Sequence, residues 1–263
     1  MKIGFIGTGN MGTALIKGII NSKIVDPQYI NVYDPSSEKL LKLKDETNVT
    51  IKENNVDVAN DSDVIILAIK PNIYDSVLNE IKDAVTDNKI IIIIAPGITI
   101  ERVRDILKKG KIIRTIPNTP ALIGEGITAI SYPDNISVND KETVENIFKS
   151  CGEIIEVKEN LIDAAMSVSS CSPAFVYIFI EALADAGVSL GLPRDISYKL
   201  ASKAVSGSGS MVLNTGFHPG YLKDMVTSPG GTTIQGVRML EKYGMRSAVI
   251  EAIIASYEKV KRK

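Results

Sequence analysis

Met1-Lys2-Ile3-Gly4-Phe5-Ile6-Gly7-Thr8-Gly9-Asn10-Met11-Gly12 opens the chain and decides its fold class. Residues 2–6 form a short apolar run of strand length. Gly7, Gly9 and Gly12 follow with G-x-G-x-x-G spacing, and from Met11 onward apolar residues recur with helical period. Strand, glycine turn and helix in that order give each glycine a task. Gly7 makes the tight turn, Gly9 lets the backbone approach a pyrophosphate, and Gly12 lets the helix pack close to the strand. Free N–H groups at the helix start then face the phosphates. Ile6, Gly7, Thr8, Gly9, Asn10, Met11 and Gly12 are therefore candidate contacts of a dinucleotide.

Working outward, β-branched runs at 30–33, 49–51, 64–68, 90–94, 112–116, 127–131 and 154–157 alternate with amphipathic stretches such as 11–20 and 37–44. Strands alternating with helices indicate βαβ units and a parallel sheet. Five consecutive isoleucines, Ile90 to Ile94, suit a strand buried on both faces. Asp34, 22 residues beyond Gly12, ends the second run. A carboxylate there would bond a ribose 2′-hydroxyl and repel a 2′-phosphate. Asp-Pro-Ser is equally good cap chemistry for the next helix, so both readings stand. Three further loops follow strand ends and are placed to line a cofactor groove: Ala68-Ile69-Lys70-Pro71, Ala95-Pro96-Gly97, and the loop holding Asn118.

Beyond Lys158 strand signals cease. Apolar-periodic stretches at 161–169, 173–190, 193–214, 233–243 and 247–261 are punctuated by glycines, with Pro173, Pro193 and Pro219 near helix starts. The expected architecture is α/β. A Rossmann-like, doubly wound, mostly parallel sheet at 1–158 forms a dinucleotide-binding domain, followed by an all-helical domain at 159–263.

Composition narrows the function. A net charge of −1 gives no electrostatic reason for a nucleic-acid partner. The run Ile90 to Ala95 is far shorter than the ~20 residues of a membrane span, so no membrane partner is expected. One histidine and two cysteines leave no material for a histidine-rich or multi-cysteine metal site, and no metal is expected. Two cysteines and an N-terminus that runs directly into the glycine loop fit a reduced, cytoplasmic compartment.

In the helical half, Ser228-Pro229-Gly230-Gly231-Thr232-Thr233 lies between two helical stretches. Such a turn delivers N–H groups and hydroxyls to a helix start, where a small carboxylate could bind. It could equally be a helix–helix turn with a threonine cap.

At this point the chain resembles the pyrroline-5-carboxylate reductase family. The resemblance spans nearly its whole length. It is carried by Gly4 to Gly12, Ala68 to Pro71, Pro117-Asn118-Thr119-Pro120-Ala121, Ser172-Pro173-Ala174, Phe179 to Gly187, His218-Pro219-Gly220, and Ser228 to Thr233. It implies reduction of the cyclic imine 1-pyrroline-5-carboxylate to L-proline with NADPH or NADH. It also implies a helical domain that pairs two subunits into a homodimer, with higher assembly left open. Carried over by position, Ser228 and Gly230, Gly231 and Thr232 would hold the substrate carboxylate. Thr233 would bond the ring nitrogen as the catalytic contact, and Glu159 would lie near the substrate. Ser169-Ser170-Cys171 departs from the family's Ser-Gly-Ser, and Asp34 departs from a small polar residue. A β-hydroxyacid-dehydrogenase-like oxidoreductase would need a lysine in the first long helix of the helical half, and 175–185 contains none. A non-catalytic dinucleotide sensor would not need the 228–233 loop. His218 in His-Pro-Gly reads as a helix cap, Lys70 as a cofactor contact, Lys203 as a solvated face and Cys171 as a small apolar residue.

Overall fold

The computed structural model describes residues 1–134 and 136–261; Arg262 and Lys263, the end of the expected helical span, lie outside the described residues. The chain divides into two compact units, Met1–Ser170 with Ser256–Lys263, and Cys171–Ala255.

Among the described residues the first unit holds eight strands: β1 (Ile3–Ile6), β2 (Ile30–Tyr33), β3 (Thr50–Ile51), β4 (Val64–Leu67), β5 (Ile90–Ile93), β6 (Lys111–Ile116), β7 (Gly126–Ser131) and β8 (Gly152–Glu156). Their order is β3-β2-β1-β4-β5-β6-β7-β8. β1 to β6 run parallel, β7 pairs antiparallel with β6, and β8 runs parallel to β7. The chain winds outward from β1 to β3 and resumes beside β1 at β4. Ligands bind outside the carboxyl ends of the strands at such a switch point.

Among the described residues, the helices lying wholly in this unit are α1 (Asn10–Asn21), α2 (Ser37–Thr47), α3 (Asn55–Asn60), α4 (Tyr74–Ile81), α5 (Ile100–Leu107), α6 (Val138–Lys149) and α7 (Ile162–Ser169). Two separate apolar cores show that helices cover both faces of the sheet. Phe5, Leu15, Ile16, Ile66 and Ile92 belong to one, and Ile65, Leu67, Tyr74, Leu78, Ile91 and Ile93 to the other. The alternation along β4 and β5 explains why these strands read as unbroken apolar runs.

By compactness the units part at Ser170/Cys171, later in the chain than the expected 158/159 division. α7 is held to the sheet by polar ties. Arg114 on β6, only 2% exposed, pairs with Asp163 on α7. The Asn118 Nδ2 donates to Ser169 O at 3.0 Å, and the Ser170 hydroxyl donates to Pro117 O at 3.1 Å.

The second unit comprises α8 (Ser172–Ser189), α9 (Arg194–Thr215), α10 (Pro219–Met225), α11 (Thr232–Lys242) and most of α12 (Met245–Lys261). α10 has seven residues, too short for periodicity to declare it; only Pro219 marked its start. α8 and α9 approach closely because the contact uses small residues: a Cβ on Gly187 would lie 2.8 Å from the Ser197 hydroxyl. Among the described residues of α8 to α12, only Ala184, Ser197 and Ala201 are buried. Tyr177, Ile178, Leu183, Leu200, Leu213 and Tyr243 are exposed in the single chain. The stretch Glu159–Ser189 is long and apolar enough to cross a membrane by length and composition, with 6% of its apolar window buried within the chain. The short run Ile90 to Ala95 was thus not the relevant test of a span.

Candidate functional site

The glycine loop gives its three glycines different surroundings. Gly7 has φ +95°, and a Cβ there would lie 2.5 Å from Ala68 O. A Cβ on Gly12 would lie 2.7 Å from Gly7 O. Both are glycines for internal reasons, one a backbone turn and the other close helix–strand packing. Gly9 is different. Its φ of −66° and ψ of −174° suit any residue, and a Cβ there would meet no protein atom within 4 Å. Neither conformation nor packing within the chain requires glycine here.

The turn is tied to its neighbours. Gly7 N–H donates to Tyr33 O at 2.8 Å, and Ala68 N–H donates to Ile6 O at 2.9 Å. Thr8 N–H donates to the Asp34 carboxylate at 2.9 Å. The Thr8 hydroxyl is buried without a hydrogen-bond partner in the chain. α1 begins at Gly9 with no side-chain cap and no acidic residue in its first turn. Uncapped N–H groups, an open Cβ position and an orphaned hydroxyl fit a bound diphosphate.

The other groove loops sit at the same edge of the sheet. Ala68 is half-buried and touches the glycine turn, while Lys70 is exposed and precedes a 3₁₀ turn at Pro71–Ile73. The buried Tyr74 hydroxyl donates to Leu67 O at 2.7 Å and fixes the end of β4; burial pushes that phenol up. Ala95 and Pro96 lead to Gly97, which turns with φ +72°. Asn118 is buried, and its side chain is committed to the fold. Its Oδ1 accepts from Ile127 N–H at 2.9 Å while its Nδ2 holds Ser169.

In the second unit, the Ser228 to Thr233 segment is a tight turn into α11. Gly231 N–H donates to Ser228 O at 3.0 Å, and Gly230 has φ +68°, so Pro229-Gly230 takes the order a type II turn asks for. A Cβ on Gly231 would sit 2.4 Å from the Ser228 hydroxyl, so the second glycine makes room for that side chain. Gly231 is the N-cap of α11 with φ −71° and ψ 173°, again with no side-chain cap and no acid in the first turn. Ser228, Thr232 and Thr233 are exposed in the single chain.

Glu159 stands in a 3₁₀ turn of the first unit. Its carboxylate accepts from Ile100 N–H at 2.7 Å and lies 3.9 Å from Arg114. It also lines a cleft of about 740 Å³ with Ile100, Arg104, Tyr132 and Lys158. Arg114 and Asp163 were absent from the sequence-level candidates. The available signal was an arginine inside the run Ile112-Ile113-Arg114-Thr115-Ile116; its partner, distant in sequence, gave none. His218 does cap α10: its Nδ1 accepts from Gly220 N–H at 3.1 Å. Cys151 is buried, and burial pushes its thiol up, away from the thiolate form. Among the described residues no group of three metal-ligating side chains occurs.

A doubly wound sheet with an open G-x-G-x-x-G turn, continued in one chain by a helical unit, defines a dinucleotide-binding oxidoreductase of the Rossmann class. Residues 2–97 match the family described as NADP oxidoreductase coenzyme F420-dependent, and residues 159–263 match pyrroline-5-carboxylate reductase dimerisation. The chain is 46% identical to pyrroline-5-carboxylate reductase of Escherichia coli K12, covering 98% of this chain and 96% of that protein. It is 40% identical to that of Methanosarcina acetivorans over 99% and 97%. The crystal structure of Plasmodium falciparum pyrroline carboxylate reductase with NADP bound superposes with a TM-score of 0.92 at 39% identity, covering 100% of this chain and 97% of that one. The chain belongs to the pyrroline-5-carboxylate reductase family.

Proposed function

We propose that the chain reduces 1-pyrroline-5-carboxylate to L-proline, a step of proline biosynthesis, using NADPH or NADH. The observation that carries this reading is a shared construction. α1 and α11 both start at an extended glycine N-cap with no side-chain acceptor and no acidic residue in the first turn. An uncapped helix start attracts an anion through its free N–H groups and the positive end of its dipole. One is suited to a pyrophosphate and the other to a small carboxylate.

A reduced nicotinamide dinucleotide, when bound, supplies the hydride. Ile6 to Gly12, Ala68 to Pro71, Ala95 to Gly97 and Asn118 would form its bed, Asn118 by supporting the loop. Ser228 and the backbone of Gly230 to Thr232 would grip the substrate carboxylate, and the Thr233 hydroxyl would orient the ring nitrogen. Glu159 would act by holding the start of α5 rather than by a free carboxylate. The protonated imine is already electrophilic, so no strong protein acid is required. These residues then contribute positioning, which can supply roughly 7–11 kcal/mol in well-oriented reactions.

The 159–263 segment is the substrate and dimerisation domain in this reading, and 1–158 the dinucleotide domain. Oligomerisation through the helical half accounts for its exposed apolar residues. A homodimer is the assembly we propose, in the cytoplasm, without a membrane or nucleic-acid partner. Thr233→Ala is expected to lower kcat by at least tenfold, since loss of one such hydrogen bond typically costs about 10²–10³ in rate. Steady-state kinetics and circular dichroism of the variant check it; full activity would remove Thr233 from the mechanism.

A further inference from the structure

Three helix starts bear on the dinucleotide and substrate, and they are not built alike. α1 and α11 are open. The start of α2, which follows β2 and stands where the adenosine ribose of a dinucleotide would lie in this class, is closed three times over. The Ser36 hydroxyl accepts from Lys39 N–H at 3.5 Å, Asp34 Oδ1 accepts from Ser36 N–H at 3.0 Å, and Glu38 occupies the first turn. Asp34 Oδ2 meanwhile accepts from Thr8 N–H, so the carboxylate is anchored beside the glycine turn. Pro35, Ser36 and Ser37 follow, and none of them offers a cation to a phosphate.

We infer that Asp34 and the closed start of α2 make this chain discriminate against a 2′-phosphate, so that it binds NADH in preference to NADPH. This rests on the dinucleotide reading of the glycine turn. A helix N-terminus is the natural receptor for a phosphate; here side chains accept from the Ser36 and Lys39 N–H groups, and Asp34 and Glu38 bring two carboxylates to the positive end of the dipole. Each anchored oxygen of Asp34 keeps a second lone pair, which leaves the carboxylate able to accept from a ribose hydroxyl. Asp34 thus serves as both cap and ribose acceptor, the two readings its sequence position left open.

The test is direct binding, independent of turnover. Dissociation constants for NADH, NADPH, ADP-ribose and 2′-phospho-ADP-ribose are measured by calorimetry on the full-length protein and on Asp34→Asn, which keeps one acceptor oxygen. The expected result is at least tenfold tighter binding of NADH than NADPH and of ADP-ribose than its 2′-phosphate. In Asp34→Asn both ratios fall at least fivefold. Equal or tighter NADPH binding by the unaltered protein overturns the inference. So does an Asp34→Asn variant that weakens all four ligands alike, since that is the mark of a cap alone. Failure of all four ligands to bind would instead overturn the dinucleotide reading itself.

Discussion

Gly9→Ser weakens binding of NADPH and NADH by about a hundredfold, roughly 2.7 kcal/mol, while leaving the stability of the ligand-free protein unchanged or slightly raised. Gly9 sits at the N-cap of α1 in extended conformation, and a Cβ there meets nothing within 4 Å. Serine is a better N-cap than glycine, because its hydroxyl accepts from N–H groups in the first turn. Those are the N–H groups a phosphate needs, so the same hydroxyl that improves the helix blocks the ligand. Gly7→Ser behaves in the opposite way. There φ is +95° and Ala68 O lies 2.5 Å from the new Cβ, so the loop itself is strained. Fluorescence titration and thermal unfolding of both variants separate the two effects. Unimpaired cofactor binding by Gly9→Ser would show that the loop does not receive the diphosphate.

Arg114→Met is expected to cost about 3–5 kcal/mol of stability, lowering the melting temperature by roughly 6–20 °C for a chain of this size. Arg114 is 2% exposed and pairs with Asp163 on α7, with Glu159 3.9 Å away. Removing the guanidinium leaves two carboxylates close together in a poorly solvated place. Arg114→Met with Asp163→Leu is expected to regain most of the loss, because replacing both partners of a buried pair by apolar groups is often nearly neutral. Denaturant unfolding of the two single variants and the pair closes the double-mutant cycle. Additive losses would show that the two residues are not coupled.

Much of this was legible before any coordinates. The eight described strands lie where β-branched runs placed them; β1, β4 and β5 are buried throughout, as a sheet covered on both faces requires, whereas the edge strands β3 and β8 are only partly buried or exposed. The tight turn at Gly7 and the close packing at Gly12 were legible in the G-x-G-x-x-G spacing. What could not be read were features that depend on residues far apart in sequence. Asp163 anchors α7 to β6 through Arg114, so the first compact unit runs past Lys158. Asp34 reads in the sequence as a helix cap or a ribose acceptor, and nothing local foretells that its carboxylate bridges Thr8 and Ser36. Glu159 was assigned by likeness, and its carboxylate turns out to hold Ile100 N–H. The helical half showed its described helices other than α10 through periodicity, but not that Tyr177, Ile178 and Leu200 would remain uncovered within one chain. Periodicity reports a face to be buried and is silent on whether the cover comes from the same molecule.

The most direct test of the central claim is a paired assay. The purified protein is incubated with 1-pyrroline-5-carboxylate and either NADPH or NADH. Loss of cofactor absorbance is followed while proline is quantified by chromatography. The expected result is one proline formed per reduced cofactor consumed. No proline with either cofactor, from a protein that is folded and binds dinucleotide, would contradict the account.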